Sequence, residues 1–154
     1  MTQFETQSQP APQFAAESQP DGPLVGIIMG SKSDMETMQK AGKVLEEAEV
    51  RYEIEIMSAH RDPERVAEYC SGDQGRGLKV IIAGAGLAAA LPGVVAAHTD
   101  LPVIGVPLTS SSSVGGGLDA LLAIAQMPPG VPVACMAVNG ARNAAVMAAK
   151  ILDA

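Results

Sequence analysis

The sequence predicts an α/β protein in which a parallel β-sheet lies between two layers of helices. Five apolar segments of strand length alternate with five segments of helical spacing, which is the order of successive βα units with right-handed crossovers. At 154 residues, of which 47% are apolar, the chain has the size of one domain and can bury a core. Because it contains no Trp and few other aromatic residues, we expect small-residue helices packed on a buried sheet.

The first βα unit contains the most informative loop. Residues 24–29 are continuously apolar between a proline and a glycine, as expected for a central parallel strand. Ser33 and Glu36 have the spacing of a capping box and predict a helix that reaches about Ala48. The loop 30–34 between strand and helix therefore presents backbone N–H groups and two hydroxyls at a helix start.

The later units follow the same order. Residues 52–57 alternate between polar and apolar, which is typical of a strand near the sheet edge. The tripeptide 62–64 offers an N-cap aspartate, a proline and a first-turn glutamate, which predicts a helix to about Cys70. The remaining predicted elements are strands at 79–83, 103–106 and 131–138 and helices at 87–98, 118–126 and 141–152.

The first 22 residues differ in composition from the rest of the chain. Residues 1–22 are rich in Gln, Pro, Ser and Ala and contain no Lys or Arg, so we expect a disordered tail before a single domain at 23–154. A short amphipathic arm around Phe4 or Phe14 that docks on a neighbouring molecule is the alternative. No signal-peptide pattern and no run of about 18 apolar residues occurs in the chain.

Charge and cysteine content exclude several classes of partner. The formal net charge is −7 and the basic residues are scattered singly, so there is no basic stripe for a nucleic acid. Cys70 and Cys135 form no CxxC motif or cluster with His, which argues against disulfides and a zinc site. We therefore expect a cytoplasmic protein that binds no metal, membrane or nucleic acid.

Candidate site residues follow each of the first four predicted strands. They lie in the loops 30–34, 58–61, 84–86 and 110–117. The carboxyl ends of parallel strands lie at one edge of a sheet, and open α/β sheets bind their ligands there. We therefore expect these loops to converge on one ligand site.

The first two loops carry groups that suit a phosphorylated ligand and proton transfer. Ser31, Ser33 and Asp34 stand where a helix dipole attracts anions, although the spacing is not that of a P-loop and also suits an ordinary capped helix. His60 can pass a proton in both directions near neutral pH, and Arg61 can hold a phosphate or carboxylate. The alternative for His60 is a surface histidine beside a helix cap.

The next two loops leave two interpretations each. Gly84, Ala85 and Gly86 could bind a carboxylate through free backbone N–H groups, or could simply let a helix pack closely on the sheet. The segment 110–117 is either a cover for the site or a solvated linker. The second histidine, His98, is explained by the favourable charge interaction at a helix C-terminus.

Several motifs occur in a fixed order from about residue 23 to the end of the chain. They are Met29 to Asp34, Ser58 to Pro63, Ala83 to Gly86, Leu91-Pro92-Gly93, Gly105-Val106-Pro107, Gln126 to Ala134 and Asn143-Ala144-Ala145. In combination they resemble the bacterial-type N5-carboxyaminoimidazole ribonucleotide mutases of purine biosynthesis. The resemblance is specific because all of these motifs appear together and in family order.

The resemblance implies a flavodoxin-like fold, a homo-octamer, and no metal or organic cofactor. It implies that a carboxylate moves from the exocyclic N5 to ring carbon C4 of an imidazole ribonucleotide, by way of an enzyme-bound CO2. His60 is implied to protonate N5 and later to remove the C4 proton, with Ser58 beside it. The residues implied to hold the substrate are Ser31, Ser33, Asp34 and Arg61 for phosphate and ribose, and Gly84, Ala85 and Gly86 for the carboxylate or CO2.

The chain departs from the family pattern at two places. Leu87 and Ala90 stand where many members have a glycine and a histidine, and the segment 110–117 is longer and richer in Ser and Gly. Two other functions remain as alternatives: a direct aminoimidazole ribonucleotide carboxylase of related fold, and a non-catalytic nucleotide-binding α/β module. Asp62-Pro63 and the Gln-Met-Pro at 126–128 favour the mutase.

Overall fold

The computed structural model describes residues 21–72 and 76–154, and the tail predicted at 1–22 lies outside them apart from its last two residues. In the described part, five parallel strands form one sheet with helices on both faces, as predicted. The strands are β1 (Val25–Met29), β2 (Tyr52–Ile56), β3 (Val80–Gly86), β4 (Val103–Leu108) and β5 (Ala134–Cys135). The helices are α1 (Met35–Glu47), α2 (Pro63–Ser71), α3 (Leu91–His98), α4 (Leu118–Ala125) and α5 (Ala141–Asp153).

Alternation along the strands divides the core into two layers. In β1, Val25, Ile27 and Met29 belong to the layer that contains α1 and α5, whereas Ile28 belongs to the layer of α2, α3 and α4. Successive side chains of a strand point to opposite faces, and all five residues of β1 are buried. A strand buried on both faces therefore has a continuous apolar sequence, which confirms the prediction for this segment.

The alternating strand β2 lies at the sheet edge, as predicted. Ile54 packs against the α1 and α5 layer. On the other face Glu55 pairs with Arg65 at 3.2 Å, and Glu53 pairs with Arg76. The polar positions of β2 therefore face cations, and its apolar positions complete the core.

The strand order is β2-β1-β3-β4-β5, which is that of flavodoxin-like folds. From β1 the chain adds β2 on one side and then crosses back to place β3 on the other. Met29 and Gly84 are register partners, so the loop after β1 leaves beside Gly84, while β3 continues to Gly86 before its own loop begins. Their divergence opens a crevice at the carboxyl ends of these strands.

The capping box predicted at the start of α1 is wrong, because Ser33 is not the N-cap residue of the helix. A 3₁₀ turn at Lys32–Asp34 precedes the helix, and Asp34 stands at the N-cap without a side-chain cap bond. The Oγ of Ser31 instead accepts a hydrogen bond from the backbone N–H of Ser33 at 3.3 Å. Ser33 lies inside the 3₁₀ turn, so its hydroxyl does not cap the helix with Glu36.

The third helix also starts later than predicted. The prediction gave 87–98, whereas α3 begins at Leu91. Leu87 and Ala89 have φ of 55° and 24°, and positive φ is incompatible with a right-handed helix. The residues before α3 therefore form a loop at the carboxyl end of β3.

The fifth strand is shorter than predicted. The apolar run 131–138 predicted a strand throughout, but only Ala134–Cys135 pairs as strand. Pro132 removes a backbone donor from the run, which is unfavourable in a strand. Beyond β5 the backbone N–H of Met136 still donates to the carbonyl of Gly105 at 2.9 Å.

Gly105 in β4 allows α4 to approach the sheet. A Cβ added there would lie 2.4 Å from Cγ2 of Ile124 and 2.9 Å from Cγ1 of Val133. We expect Gly105→Ala to lower the free energy of unfolding by about 1–3 kcal/mol, the usual cost of overpacking, as measured by urea denaturation. The control is Gly93→Ala, whose Cβ would meet the flexible end of Met127 at 3.1 Å. Equal losses in the two variants would contradict the prediction.

Candidate active site

A cavity of about 560 Å³ lies at the carboxyl ends of β1 to β4, at the switch point of the sheet. The loops that follow these four strands and the start of α3 form its wall. The predicted convergence of the loops is therefore confirmed. Of the residues singled out from the sequence, those that line the cavity are Ser31, Ser33, Asp34, Ser58, His60, Arg61, Ala85 and Gly86.

The loop after β1 contributes two hydroxyls and a carboxylate. The Oγ atoms of Ser31 and Ser33 are 2.9 Å apart, and the backbone N–H of Asp34 donates to the carbonyl of Ser31 at 3.1 Å. These short-range bonds form because the loop turns tightly into the 3₁₀ turn before α1. The turn holds both hydroxyls on the cavity side, where the hydroxyl that accepts in the Ser31–Ser33 bond keeps its proton for an oxygen of an anion.

Asp34 is half-buried at this edge of the cavity. Burial raises the pKa of its carboxyl above the ordinary value, and a hydrogen bond with the backbone of Ser31 opposes that rise in pKa. Removal from water disfavours the charged form. A partner that donates hydrogen bonds to the carboxylate, such as a sugar hydroxyl, would compensate this desolvation.

The loop after β2 is folded around Ser58. Its Oγ accepts hydrogen bonds from the backbone N–H of Arg61 at 3.2 Å and from the Arg61 Nε at 3.4 Å, and its carbonyl accepts from the Asp62 N–H at 2.8 Å. The Nη2 of Arg61 donates to the carbonyl of Gly30 at 3.0 Å. Arg61 therefore ties this loop to the loop after β1.

His60 stands at the tip of the same loop. It lines the cavity and is exposed to solvent. An exposed imidazole at a cavity mouth can exchange protons with both a bound ligand and water. The position therefore suits a general acid and base.

Residues 84–86, predicted as a loop, are instead the last residues of β3, because they pair with β4, and the site loop begins at Leu87. The end of β3 and this loop are narrow and conformationally strained. Leu87 and Ala89 both have positive φ, which costs about 1–3 kcal/mol for a residue with a side chain. A Cβ on Gly86 would lie 2.9 Å from the carbonyl oxygen of Leu108, so only glycine fits between β3 and β4 here. Small side chains leave room beside the backbone for a compact group.

Gly84 is predicted to hold the substrate but does not belong to the cavity lining, and of the predicted segment 110–117 only Ser110 belongs to it. A Cβ at this position would lie 2.5 Å from the Sδ of Met38 and 3.0 Å from Cδ1 of Leu108. Gly84 therefore faces the core layer of α1, and its role in the fold is close packing. Close packing is therefore observed at Gly84 and Gly86, and ligand binding by Ala85 and Gly86 stays a prediction.

Of the two polar wall residues that follow β4, the sequence analysis included Ser110 and missed Thr109. Thr109 and Ser110 follow β4 and line the cavity. Ser110 began the predicted segment 110–117, whereas Thr109 lies one residue before it and had no motif to mark it. The position of Thr109 directly after a buried strand is the signal that could have identified it.

Neither a metal site nor a membrane helix is evident in the part of the chain that the structure describes. No group of three or more His, Cys, Asp or Glu side chains within 21–72 and 76–154 could hold a metal ion. No helix in those ranges is long and apolar enough to cross a bilayer. The polar groups that line the cavity are hydroxyls, one carboxylate, one imidazole and one guanidinium.

A larger cavity of about 740 Å³ lies away from these loops. It is lined by the end of α3, the chain that leads into β4 and the residues around Val131. His98 and Asp100 are its charged or titratable side chains, and no cationic side chain or serine accompanies them. We assign the site to the smaller cavity because polar groups from four loops converge there.

The chain is similar in sequence to known proteins over most of its length. Residues 24–154 match the family described as AIR carboxylase. The chain is 58% identical over 131 residues to a Pyrococcus abyssi protein named N5-carboxyaminoimidazole ribonucleotide mutase, covering 85% of this chain and 74% of that one. It is 54% identical over 132 residues to a Schizosaccharomyces pombe protein named phosphoribosylaminoimidazole carboxylase, covering 86% of this chain and 24% of that one.

A solved structure gives the same result for the fold. The crystal structure of Treponema denticola PurE superposes with a TM-score of 0.74 at 32% sequence identity, covering 85% of this chain and 80% of that chain. The family match extends over most of the chain and includes every loop of the cavity. The chain therefore belongs to the AIR carboxylase family.

Proposed function

We propose that this protein is an N5-carboxyaminoimidazole ribonucleotide mutase, an isomerase that moves a carboxylate from the exocyclic N5 of the substrate to ring carbon C4. Membership of the family supports this reaction class. The observation that carries the proposal is the single cavity that Ser33, Asp34, His60 and Arg61 line together. A phosphorylated sugar, an ionisable amine and a carboxylate are the parts of such a substrate, and these residues suit them.

In the proposed complex the first two loops hold the ribose and phosphate. The bond between the Ser31 and Ser33 hydroxyls opens so that each donates to a phosphate oxygen, and Asp34 accepts from sugar hydroxyls. Arg61 pairs with the phosphate through guanidinium donors that its bonds to Ser58 and Gly30 leave free. Held in this way, the base of the nucleotide extends toward His60 and the loop after β3.

His60 is proposed to carry the proton in both steps. The bond between N5 and the carboxylate carbon breaks, CO2 leaves, and N5 takes a proton from His60. C4 then attacks the same CO2, a carbon–carbon bond forms, and His60 removes the proton from C4. One imidazole thus regains the proton it gave, so the reaction needs no external acid or base.

Confinement of CO2 is proposed as the second source of catalysis. The backbone of Ala85 and Gly86 and the small side chains after them form one wall of the cavity, with Ser58 on another. A released CO2 held beside C4 reacts as if it were at very high concentration. Escape of CO2 would instead leave the free aminoimidazole ribonucleotide.

A homo-octamer is also proposed, as the resemblance implies. Large apolar side chains are exposed on the described surface of α4 and α5 and beside them, and such patches support burial between copies. They are Val114 (70% exposed), Leu118 (49%), Leu122 (48%), Val146 (42%) and Met147 (39%).

One observation favours a second candidate, a direct aminoimidazole ribonucleotide carboxylase. The relative from Schizosaccharomyces pombe carries the name of a carboxylase. Incubation of the protein with aminoimidazole ribonucleotide and bicarbonate, without an enzyme that forms the carbamate, separates the two reactions. Rapid turnover at low bicarbonate would favour the carboxylase.

We expect His60→Asn to abolish conversion of the N5-carboxylated ribonucleotide, with a fall in kcat of at least about 100-fold, the usual contribution of a general acid and base. Binding of the ribonucleotide, measured by calorimetry, should persist. The control is His98→Asn, which alters the other histidine, in the larger cavity away from the site. An undiminished rate in His60→Asn would overturn the assignment, and absence of turnover in the unmodified protein would favour a non-catalytic module.

We expect Arg61→Ala and Ser33→Ala each to weaken the binding of ribose 5-phosphate analogues by about 1–3 kcal/mol, the scale of a lost hydrogen bond to a charged group. Calorimetric titration gives the affinities. Arg142→Ala removes an exposed guanidinium on α5 that does not line the cavity, and it should leave the affinity unchanged. Unchanged affinity in both site variants would remove Arg61 and Ser33 from the phosphate site.

We expect Asp34→Asn to stabilise the unliganded protein at neutral pH while it weakens ribonucleotide binding. Burial raises the pKa of Asp34 in the folded chain, so the folded chain binds more protons than the unfolded chain between the ordinary and the raised pKa. The wild type therefore loses stability as the pH rises through that window, and Asn does not. Urea denaturation at a series of pH values should give a difference that vanishes at low pH. A difference independent of pH would contradict this explanation.

A further inference from the structure

The wall that follows β4 is held by a residue thirty positions further along the chain. β5 stops at Cys135, so within the described residues the last part of β4 has a strand partner only on the side of β3. Asn139 takes over this edge, because its backbone N–H donates to the carbonyl of Pro107 at 2.7 Å and its side chain pairs with Thr109. Asn139 does not line the cavity, whereas Thr109 does.

The pairing with Thr109 determines which way the Asn139 amide points. The backbone N–H of Thr109 can only donate, so the atom that faces it at 3.1 Å must be the Oδ1 of Asn139. The Nδ2 then faces the Thr109 hydroxyl and donates to its Oγ1 at 2.8 Å. The Thr109 hydroxyl thus accepts from Asn139 and keeps its own proton for another partner.

The neighbouring backbone restricts both side chains. Asn139 has φ of 58°, a left-handed conformation that Asn, Asp and Gly adopt more readily than other residues. The methyl group of Thr109 lies on the side of Gly117, where a Cβ would be 2.8 Å from Cγ2. The methyl group on that side and the oxygen bonded to Asn139 together define the rotamer in which Thr109 presents its proton.

We propose that Asn139 is a positioning residue that orients the hydroxyl of Thr109 as a donor to an anionic oxygen of the substrate. This inference rests on the proposed function, whose substrate carries a phosphate and a carboxylate. Both groups are acceptors when ionised, so they need donors on the cavity wall. Among the described residues, Asn139 is the one hydrogen-bonded to the Thr109 hydroxyl, and the backbone N–H of Thr109 donates to the same side chain.

Asn139→Asp is the most informative variant. Aspartate tolerates the same φ and can still accept from the Thr109 N–H, but its second oxygen accepts where Nδ2 donated. The hydroxyl of Thr109 then donates to Asp and presents only lone pairs to the substrate. A merely structural Asn139 predicts normal binding in this variant, because both contacts to Thr109 survive.

The experiment measures calorimetric affinity for the carboxylated aminoimidazole ribonucleotide, with kcat and KM, in single and double variants. We expect Thr109→Val and Asn139→Asp each to weaken binding by about tenfold, the scale of one hydrogen bond to a charged group. Thr109→Ser, which keeps the hydroxyl, should stay within about threefold. In the Thr109→Val background, Asn139→Asp should have little further effect, because the hydroxyl on which it acts is gone. The urea midpoint of Asn139→Asp should match that of the wild type.

Three results would overturn the inference: normal binding in Thr109→Val, normal binding in Asn139→Asp, or full additivity in the double variant, which would indicate that the added negative charge acts directly. Thr37→Val, on α1 outside the cavity lining, controls for the substitution itself. If the wild type binds the ribonucleotide but does not convert it, the proposed function is wrong. The affinities of the variants relative to the wild type still decide the role of Asn139. A wild type that binds no such ribonucleotide would overturn both.

Discussion

Pairing between β1 and β3 is the interaction on which the rest of the molecule depends. The two strands stay in register from Val25 and Val80 to Met29 and Gly84, and both have a further strand on their outer side. Buried backbone groups must be paired, so this ladder cannot slip without loss of its neighbours. Glycines in both strands let the helices approach, since a Cβ at Gly26 would lie 2.2 Å from the Tyr69 hydroxyl. Because the loops that diverge above this pair enclose the cavity, the geometry of the site is set by the centre of the sheet.

Some residues around the cavity lower the stability of the unliganded protein. The desolvated carboxyl of Asp34, with its raised pKa, and the positive φ angles of Leu87 and Ala89 are unfavourable in the unliganded protein. The cost is offset by the aliphatic side chains that are buried on both faces of the sheet. A rigid sheet with strained loops at one edge is the arrangement expected of a preorganised site, in which the ligand supplies the missing partners.

The loops divide the proposed work among them. In the proposed mechanism the loops after β1 and β2 bind ribose and phosphate, His60 of the second loop carries the proton, and the end of β3 with its loop forms the wall that confines CO2. Arg61 joins the first two loops through the carbonyl of Gly30. Asn139 supports the fourth wall at the point where β5 has ended. The loops after β1, β2 and β4 are thus each hydrogen-bonded to another segment of the chain.

Local patterns in the sequence determined the order of strands and helices, the edge position of β2 and the placing of Ser33, His60 and Arg61 in loops at one edge of the sheet. They could do so because burial of a strand and the direction of its carboxyl end follow from nearby residues. Only the tertiary structure decided that Gly84 faces Met38, that β5 is short and that Asn139 meets Thr109 thirty residues away. These features depend on which surfaces meet across the sheet and on backbone φ angles, and neither has a periodic signal in the sequence.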